Sequence, residues 1–186
     1  MPSDSNLVDT PALLEVETLP SNVLSLCARL REASSELDQQ GEWPEEQLKW
    51  LGEAGVYRWF IPTAFGGDEW DEARILEGYL ALSQSCLTTT FVLTQWNAAC
   101  KRILGSENQK LKAELLPAMA RGELFATVGI SHLTTSRQHL GKPVLVAEPL
   151  PEGGFCLEGF SPWVTGAGWA DIIVMGATLP NATQII

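Results

Sequence analysis

Two residues in the second half of the chain, Trp163 and Thr165, have the types and spacing to address one planar ring together. Two positions apart on a strand, they would project from the same face, the indole walling off water and the hydroxyl donating a hydrogen bond. The plain alternative for any isolated W-x-T is a core tryptophan beside a β-branched neighbour. A second stretch, Gly129-Ile130-Ser131-His132-Leu133-Thr134-Thr135-Ser136, strings hydroxyls along a loop, and Arg137 adds a charge behind them. Hydroxyls so placed could bond a polar ligand; the alternative is a polar turn that caps its own backbone. His132 and His139 stand seven apart with no third ligand in view, which fits no zinc pattern and predicts solvent-exposed loop histidines and no metal site. Cys27, Cys86, Cys100 and Cys156 show no C-x-x-C spacing, and each sits among apolar neighbours. They read as buried thiols of a reducing compartment, which points to the cytoplasm.

Two kinds of element must hold these residues. Residues 1–20 read as a Pro-flanked tail that is expected to be flexible. Ser21 is placed to cap a helix whose apolar positions Val23, Cys27, Leu30, Ala33 and Leu37 recur at three and four residues, closed by Gly41. Pro44-Glu45-Glu46 has the composition of a first helical turn, with Leu48, Leu51 and Ala54 on one face and Gly55 as the stop. Val56 to Pro62 is extended in pattern, and Ala64-Phe65-Gly66-Gly67 must turn sharply. From Asp71 to Leu104 the apolar positions are too dense for one exposed stripe, which predicts central helices buried on several sides. The Thr88-Thr89-Thr90 run marks a junction between two of them. Ser106-Glu107 opens a last helix with the face Leu111, Leu115 and Met119, kinked at Pro117 and ended by Gly122. The aromatic cluster Tyr57, Trp59, Phe60 and Trp96 reads as core.

At Phe125 the period changes. Short apolar runs at Phe125 to Ile130, Val144 to Ala147, Phe155 to Leu157 and Ile172 to Val174, separated by Gly, Pro and polar turns, predict strands. Glu148-Pro149 reads as a strand end, and residues 181–186 as an entering strand with no continuation. The order is helices and then strands, an α+β fold with a helical domain at 21–122 and a partial β domain at 123–186. So few residues of β pattern cannot close a barrel comfortably, and the expectation is that the chain is truncated.

Composition excludes several functions. The content of 45% hydrophobic and 19% charged residues is that of a folded, water-exposed domain, so disorder is not the default. There is no uninterrupted apolar stretch of membrane-spanning length, and the acidic N-terminus lacks the regions of a signal or transit peptide. The formal net charge of -11 is unevenly placed: residues 1–77 hold 16 Asp and Glu against 5 Lys and Arg, while residues 78–186 hold 7 of each. Nucleic acid is thereby excluded as a partner, but a pyrophosphate could still meet the neutral second part.

In order and spacing, several pieces together resemble the acyl-CoA dehydrogenase family. They are Trp43-Pro44, Glu53-Ala54-Gly55-Val56, Ile61-Pro62, Phe65-Gly66-Gly67, Leu116-Pro117, Gly122-Glu123, Gly159 four residues before Trp163, Trp163-Val164-Thr165-Gly166-Ala167, and Ala170-Asp171. The resemblance covers roughly Leu24 to Thr178. It implies the N-terminal helical domain followed by an incomplete middle β-barrel or sheet domain, and an FAD whose ring lies between the β domain and a further helical bundle. The implied flavin-contacting residues are Gly129, Ile130, Ser131, Trp163, Val164 and Thr165, with Thr135 and Ser136 on the substrate or phosphate side. The sequence departs from the family's Thr-Glu-Pro and Gly-Ser-Asp turns, where Ser131 could replace the threonine hydroxyl. No catalytic residue is assigned, because the family's base comes from helices beyond Ile186.

The implied function is a flavoprotein oxidoreductase acting on CH–CH groups, this chain alone being inactive. Its implied partners are a small-molecule substrate such as an acyl-CoA thioester, an electron acceptor of unidentified type, and, when complete, further copies of itself. A flavin-dependent monooxygenase of the same fold and a flavin-free helical interaction module are the alternatives.

Overall fold

The computed structural model describes residues 19–134 and 143–186. The first helix, α1 (Ser21–Gln40), buries Val23, Leu26, Cys27, Leu30 and Leu37 on one stripe and ends at Gly41 in the left-handed region. Its N-cap is Pro20, not Ser21. The proline's carbonyl already accepts from the Val23 and Leu24 amides, and Ser21 lies inside the helix, its own carbonyl accepting from the Ser25 hydroxyl. Helix α2 (Glu45–Glu53) follows Pro44 and carries Glu45 and Glu46 in its first turn, where carboxylates oppose the positive end of the helix dipole.

The segment after Gly55 is not extended. Val56–Phe60 is a 3-10 helix, and Val56, Tyr57, Trp59 and Phe60 are all buried. Strand alternation could turn only every second one of these inward, so the apolar density selects the tighter coil. A second 3-10 turn, Thr63–Phe65, precedes Gly66.

Helices α3 (Glu72–Ser85) and α4 (Leu87–Gly105) meet at the single residue Cys86. Asp71 caps α3 by accepting from the Arg74 amide at 2.8 Å. The threonine run lies one step later than expected, in the first turn of α4. Thr90 donates to the Cys86 carbonyl at 2.9 Å, and Thr89 Oγ1 sits 3.1 Å from Cys86 Sγ, so the hydroxyls bond back toward the break instead of forming it. Only α4 is central. It packs on α1, α2, α3, α5, β1 and β4, while α3 leaves Leu76 and Leu80 exposed. Helix α5 (Gln109–Ala120) is capped by Asn108, whose side chain accepts from the Leu111 amide. Ser106 instead accepts from the Asn108 amide, and the helix runs through Pro117 to bury Leu116, Met119 and Ala120.

The strands begin where the period changes. Strand β1 (Ala126–Gly129) pairs in parallel with β4 (Ile172–Met175), in register from Ala126↔Ile172 to Gly129↔Met175. Asp171 sets that register. Its amide donates to the Phe125 carbonyl at 2.9 Å while its carboxylate accepts from the Phe125 amide at 2.8 Å, joining the two strand entries. The second sheet has the order β3-β2-β5-β6. In it β2 (Leu145–Pro149) runs antiparallel to β3 (Phe155–Gly159) and parallel to β5 (Ala177–Thr178), and β6 (Gln184–Ile185) closes antiparallel on β5. Among the described residues these are open sheets and not a closed barrel. One large core joins the helices to Ala126 and Val128 of β1, and a small one lies at Leu145, Ala147 and Ala177.

Candidate functional site

The two stretches singled out in the sequence come together at the C-terminal end of β1. Along β1, Ala126 and Val128 belong to the main core, and Thr127 and Gly129 point to the opposite face. Across that opposite face lies the segment 163–166. The Thr127 hydroxyl donates to the Thr165 carbonyl at 2.8 Å, and a Cβ on Gly129 would come within 3.0 Å of Val164 Cγ2 and 2.7 Å of Met175 Sδ. Gly129 and Val164 are therefore packing partners.

The segment itself corrects the expectation. Trp163 and Thr165 are not on a strand: Val164 to Trp169 is a turn, with the Ala167 amide donating to Val164 and the Trp169 amide to Gly166. Gly166 has φ +72, which a strand cannot accommodate, and a Cβ there would meet Trp43 Cη2 at 2.4 Å. Trp43 fills that space, stacked on Trp169 at 4.8 Å and 8° and edge-on to Phe125 at 5.3 Å. The core alternative for Trp163 also fails, because it is 71% exposed. No acceptor among the described residues takes the amides of Trp163, Val164 or Thr165, nor the Thr165 hydroxyl.

Beside the turn lies a groove of about 570 Å³, lined by Thr165, Gly166, Trp43, Pro44 and, from the first turns of α4, Leu87, Thr88, Phe91 and Val92. Leu87 and Phe91 are largely exposed. Glu42 is the one charged residue of the lining. Sequence reasoning missed Trp43, Leu87, Thr88 and Phe91, because nothing local in α4 says that its first turn faces a turn near residue 165.

Ile130 and Ser131 open a single helical turn, Ser131–Thr134, and His132 is buried, contrary to the exposed loop histidine expected. Its Nε2 lies 2.8 Å from the Gly176 carbonyl and its Nδ1 3.4 Å from Ser161 Oγ. A carbonyl only accepts, so Nε2 carries a proton, and in the neutral ring Nδ1 accepts from Ser161. The imidazole thus ties the end of β1 to the end of β4 and to the residues before Trp163. Thr135, Ser136, Arg137 and His139 lie outside the described residues. No group of three or more His, Cys, Asp or Glu among the described residues could hold a metal. Cys27, Cys86 and Cys100 are buried, and burial raises the Cys100 thiol to about 12, but Cys156 is exposed on β3, an edge strand among the described residues.

Comparison with known proteins gives this geometry its setting. Residues 21–123 match the family model described as the acyl-CoA dehydrogenase N-terminal domain. The chain belongs to the acyl-CoA dehydrogenase family. A short-chain-specific acyl-CoA dehydrogenase from Clostridium acetobutylicum is 24% identical over 147 residues, 77% of this chain and 38% of that protein. Among solved structures, butyryl-CoA dehydrogenase from Megasphaera elsdenii superposes with a TM-score of 0.72 at 17% identity over 86% of this chain and 45% of its own. Indole-bound TdsC from Paenibacillus sp. A11-2, in another structure called a dibenzothiophene monooxygenase, superposes with a TM-score of 0.73 at 18% identity over 86% of this chain and 39% of its own. The chain thus spans less than half the length of each of these relatives. The shared fold is a helical domain followed by a small sheet region. No helix among the described residues is long and apolar enough to cross a membrane.

Proposed function

We propose that this chain supplies the helical part and the flavin-facing turn of an FAD-binding oxidoreductase that acts on CH–CH groups, with an acyl-CoA thioester as substrate class. The observation that carries this reading is the exposed indole of Trp163 beside three successive amides and a hydroxyl that find no acceptor among the described residues. These residues fit a flavin: a planar apolar ring needs a wall, and the charge that develops on its pyrimidine side calls for fixed donors. When bound, the flavin would accept the hydride. The chain's own part is to hold the ring plane with Trp163, to present the Thr165 hydroxyl and neighbouring amides as donors, and to exclude water along Trp43 and Phe91.

The described lining of the groove offers no buried carboxylate to act as a base. Among the described lining residues of the groove Glu42 is the one carboxylate, and it is exposed. We therefore infer that the chain by itself does not catalyse dehydrogenation, which needs a carboxylate within about 3 Å of the proton it removes. A flavin-dependent monooxygenase is the second reading. It is favoured by the likeness to the Paenibacillus enzyme and by a described groove lining without the Lys or Arg that a CoA phosphate would call for.

The test is a titration of FAD into the purified chain and into Trp163→Ala and Thr165→Val, followed by visible absorbance and by anaerobic bleaching with acyl-CoA esters. FAD should bind the parent chain, both variants should weaken binding or alter the spectrum, and no chain should bleach. Equal affinity and spectrum in all three would remove Trp163 and Thr165 from the site, and substrate-dependent bleaching would refute the missing base. Oxygen consumption by the reduced flavin complex with an aromatic substrate would favour the monooxygenase.

A further inference from the structure

We propose that Thr127 is a positioning residue that sets the Thr165–Gly166 peptide of the ligand-facing turn. The functional meaning of this role rests on the flavin reading above. Thr127 is fully buried in β1, on the face turned away from the main core. Valine has nearly the same shape and suits a strand at least as well, so packing alone does not call for a hydroxyl here. Among the described residues the hydroxyl has one partner, the carbonyl of Thr165, at 2.8 Å. That carbonyl belongs to a residue that lines the groove and whose amide and hydroxyl find no acceptor among the described residues.

Fixing one carbonyl fixes a whole peptide plane. In a trans peptide the C=O and the following N–H point in opposite directions, so a Thr165 carbonyl held on β1 turns the Gly166 amide away from β1. No acceptor among the described residues takes that amide either, and Gly166 lines the groove. The other side of the turn is held independently by Trp43, whose ring occupies the space a Gly166 side chain would need. Thr127 therefore sets the rotation of the peptide while Trp43 sets its height. The Gly166 amide becomes a preset donor for an oxygen acceptor bound in the groove, a ring or acyl carbonyl.

The test uses the full chain with Thr127→Val, Thr127→Ser and Thr127→Ala. Hydrogen exchange of residues 163–169 is one readout, and the affinity and visible spectrum of added FAD is the other. Loss of one net hydrogen bond should speed exchange of the Ala167 and Trp169 amides roughly 2- to 10-fold in the valine variant, with helix protection unchanged. FAD binding should weaken by a similar factor with a shifted band, and serine should restore both. A structural role alone would not give a shifted band that serine rescues. Should valine prevent folding, the contrast of serine with alanine carries the same test. Unchanged exchange in 163–169 overturns the proposal, and faster exchange with unchanged FAD affinity overturns its functional half. If the parent chain binds no FAD, the flavin reading falls, and exchange alone decides whether Thr127 positions the turn.

Discussion

Gly166→Ala should cost far more than an ordinary glycine substitution in a turn, and the excess should belong to Trp43. Two penalties act there. An L-residue at φ +72 costs about 1–2 kcal/mol, because Cβ crowds the following carbonyl oxygen. The new methyl would also lie 2.4 Å from Trp43 Cη2 and 3.1 Å from Phe125 Cε1, and forcing carbon into a packed site costs about 1–3 kcal/mol. Trp43 cannot simply swing away, since it is stacked on Trp169 and edge-on to Phe125. The sum is about 2–5 kcal/mol, a large share of the stability of a small domain.

Gly41→Ala supplies the control. Its φ of +65 is nearly the same, but nothing lies within 4 Å of the position a Cβ would take, so only the backbone penalty of about 1–2 kcal/mol applies. Urea unfolding followed by far-ultraviolet circular dichroism measures both variants, provided the slope with denaturant is unchanged. Adding Trp43→Leu to Gly166→Ala should recover the steric part, a coupling of about 1–3 kcal/mol in the double-mutant cycle. Equal costs for the two alanine variants, or strict additivity with Trp43→Leu, would show that the indole does not clamp the turn.

Two further outcomes follow from burial. The chain has 2 tyrosines, and desolvation raises Tyr79 to about 12 and Tyr57 higher still, both above their ordinary 10.0, so the folded state keeps protons that the unfolded state releases. Their contribution to stability is complete below pH 10 and is lost as pH climbs toward 12 and beyond; tyrosinate absorbance should therefore appear together with unfolding, and a titration near pH 10 in a chain that stays folded would contradict this. Of the 4 cysteines only Cys156 is exposed, so a disulfide thiol reagent should titrate one thiol rapidly in the folded chain and all of them after denaturation. Rapid reaction of Cys27 or Cys100, whose thiols burial pushes up, would mean that the helical core opens.

Most of the fold was legible because it rests on local rules. The period of Val23, Cys27, Leu30 and Leu37 and the stop at Gly41 define α1, and the four runs from Phe125 onward are β1 to β4. Local rules failed where two of them compete. Val56 to Phe60 holds β-branched and aromatic residues suited to a strand, yet all but Arg58 must be buried, and the compact 3-10 coil wins. The threonine run weakens a helix interior, but its hydroxyls can bond backward to Cys86, so the break falls at the cysteine.

Of the candidate site the sequence suggested residue types, and the conformation it implied for them was a strand where the structure has a turn. Val164 and Thr165 do lie against β1, through contacts of Thr127 with Thr165 and of Gly129 with Val164. A strand would have shown the indole and the hydroxyl on one face by alternation. The turn instead leaves the indole exposed and Thr165 half-buried, with the Thr165 carbonyl bonded to β1 and Gly166 against Trp43. The residues that decide this, Thr127 and Trp43, lie far from the turn in sequence, and neither carries a local mark of its role. A hydroxyl inside a short apolar strand is the one available signal. Buried in a run of Ala126, Val128 and Gly129, Thr127 calls for an acceptor, and the structure supplies one from a distant segment, the Thr165 carbonyl.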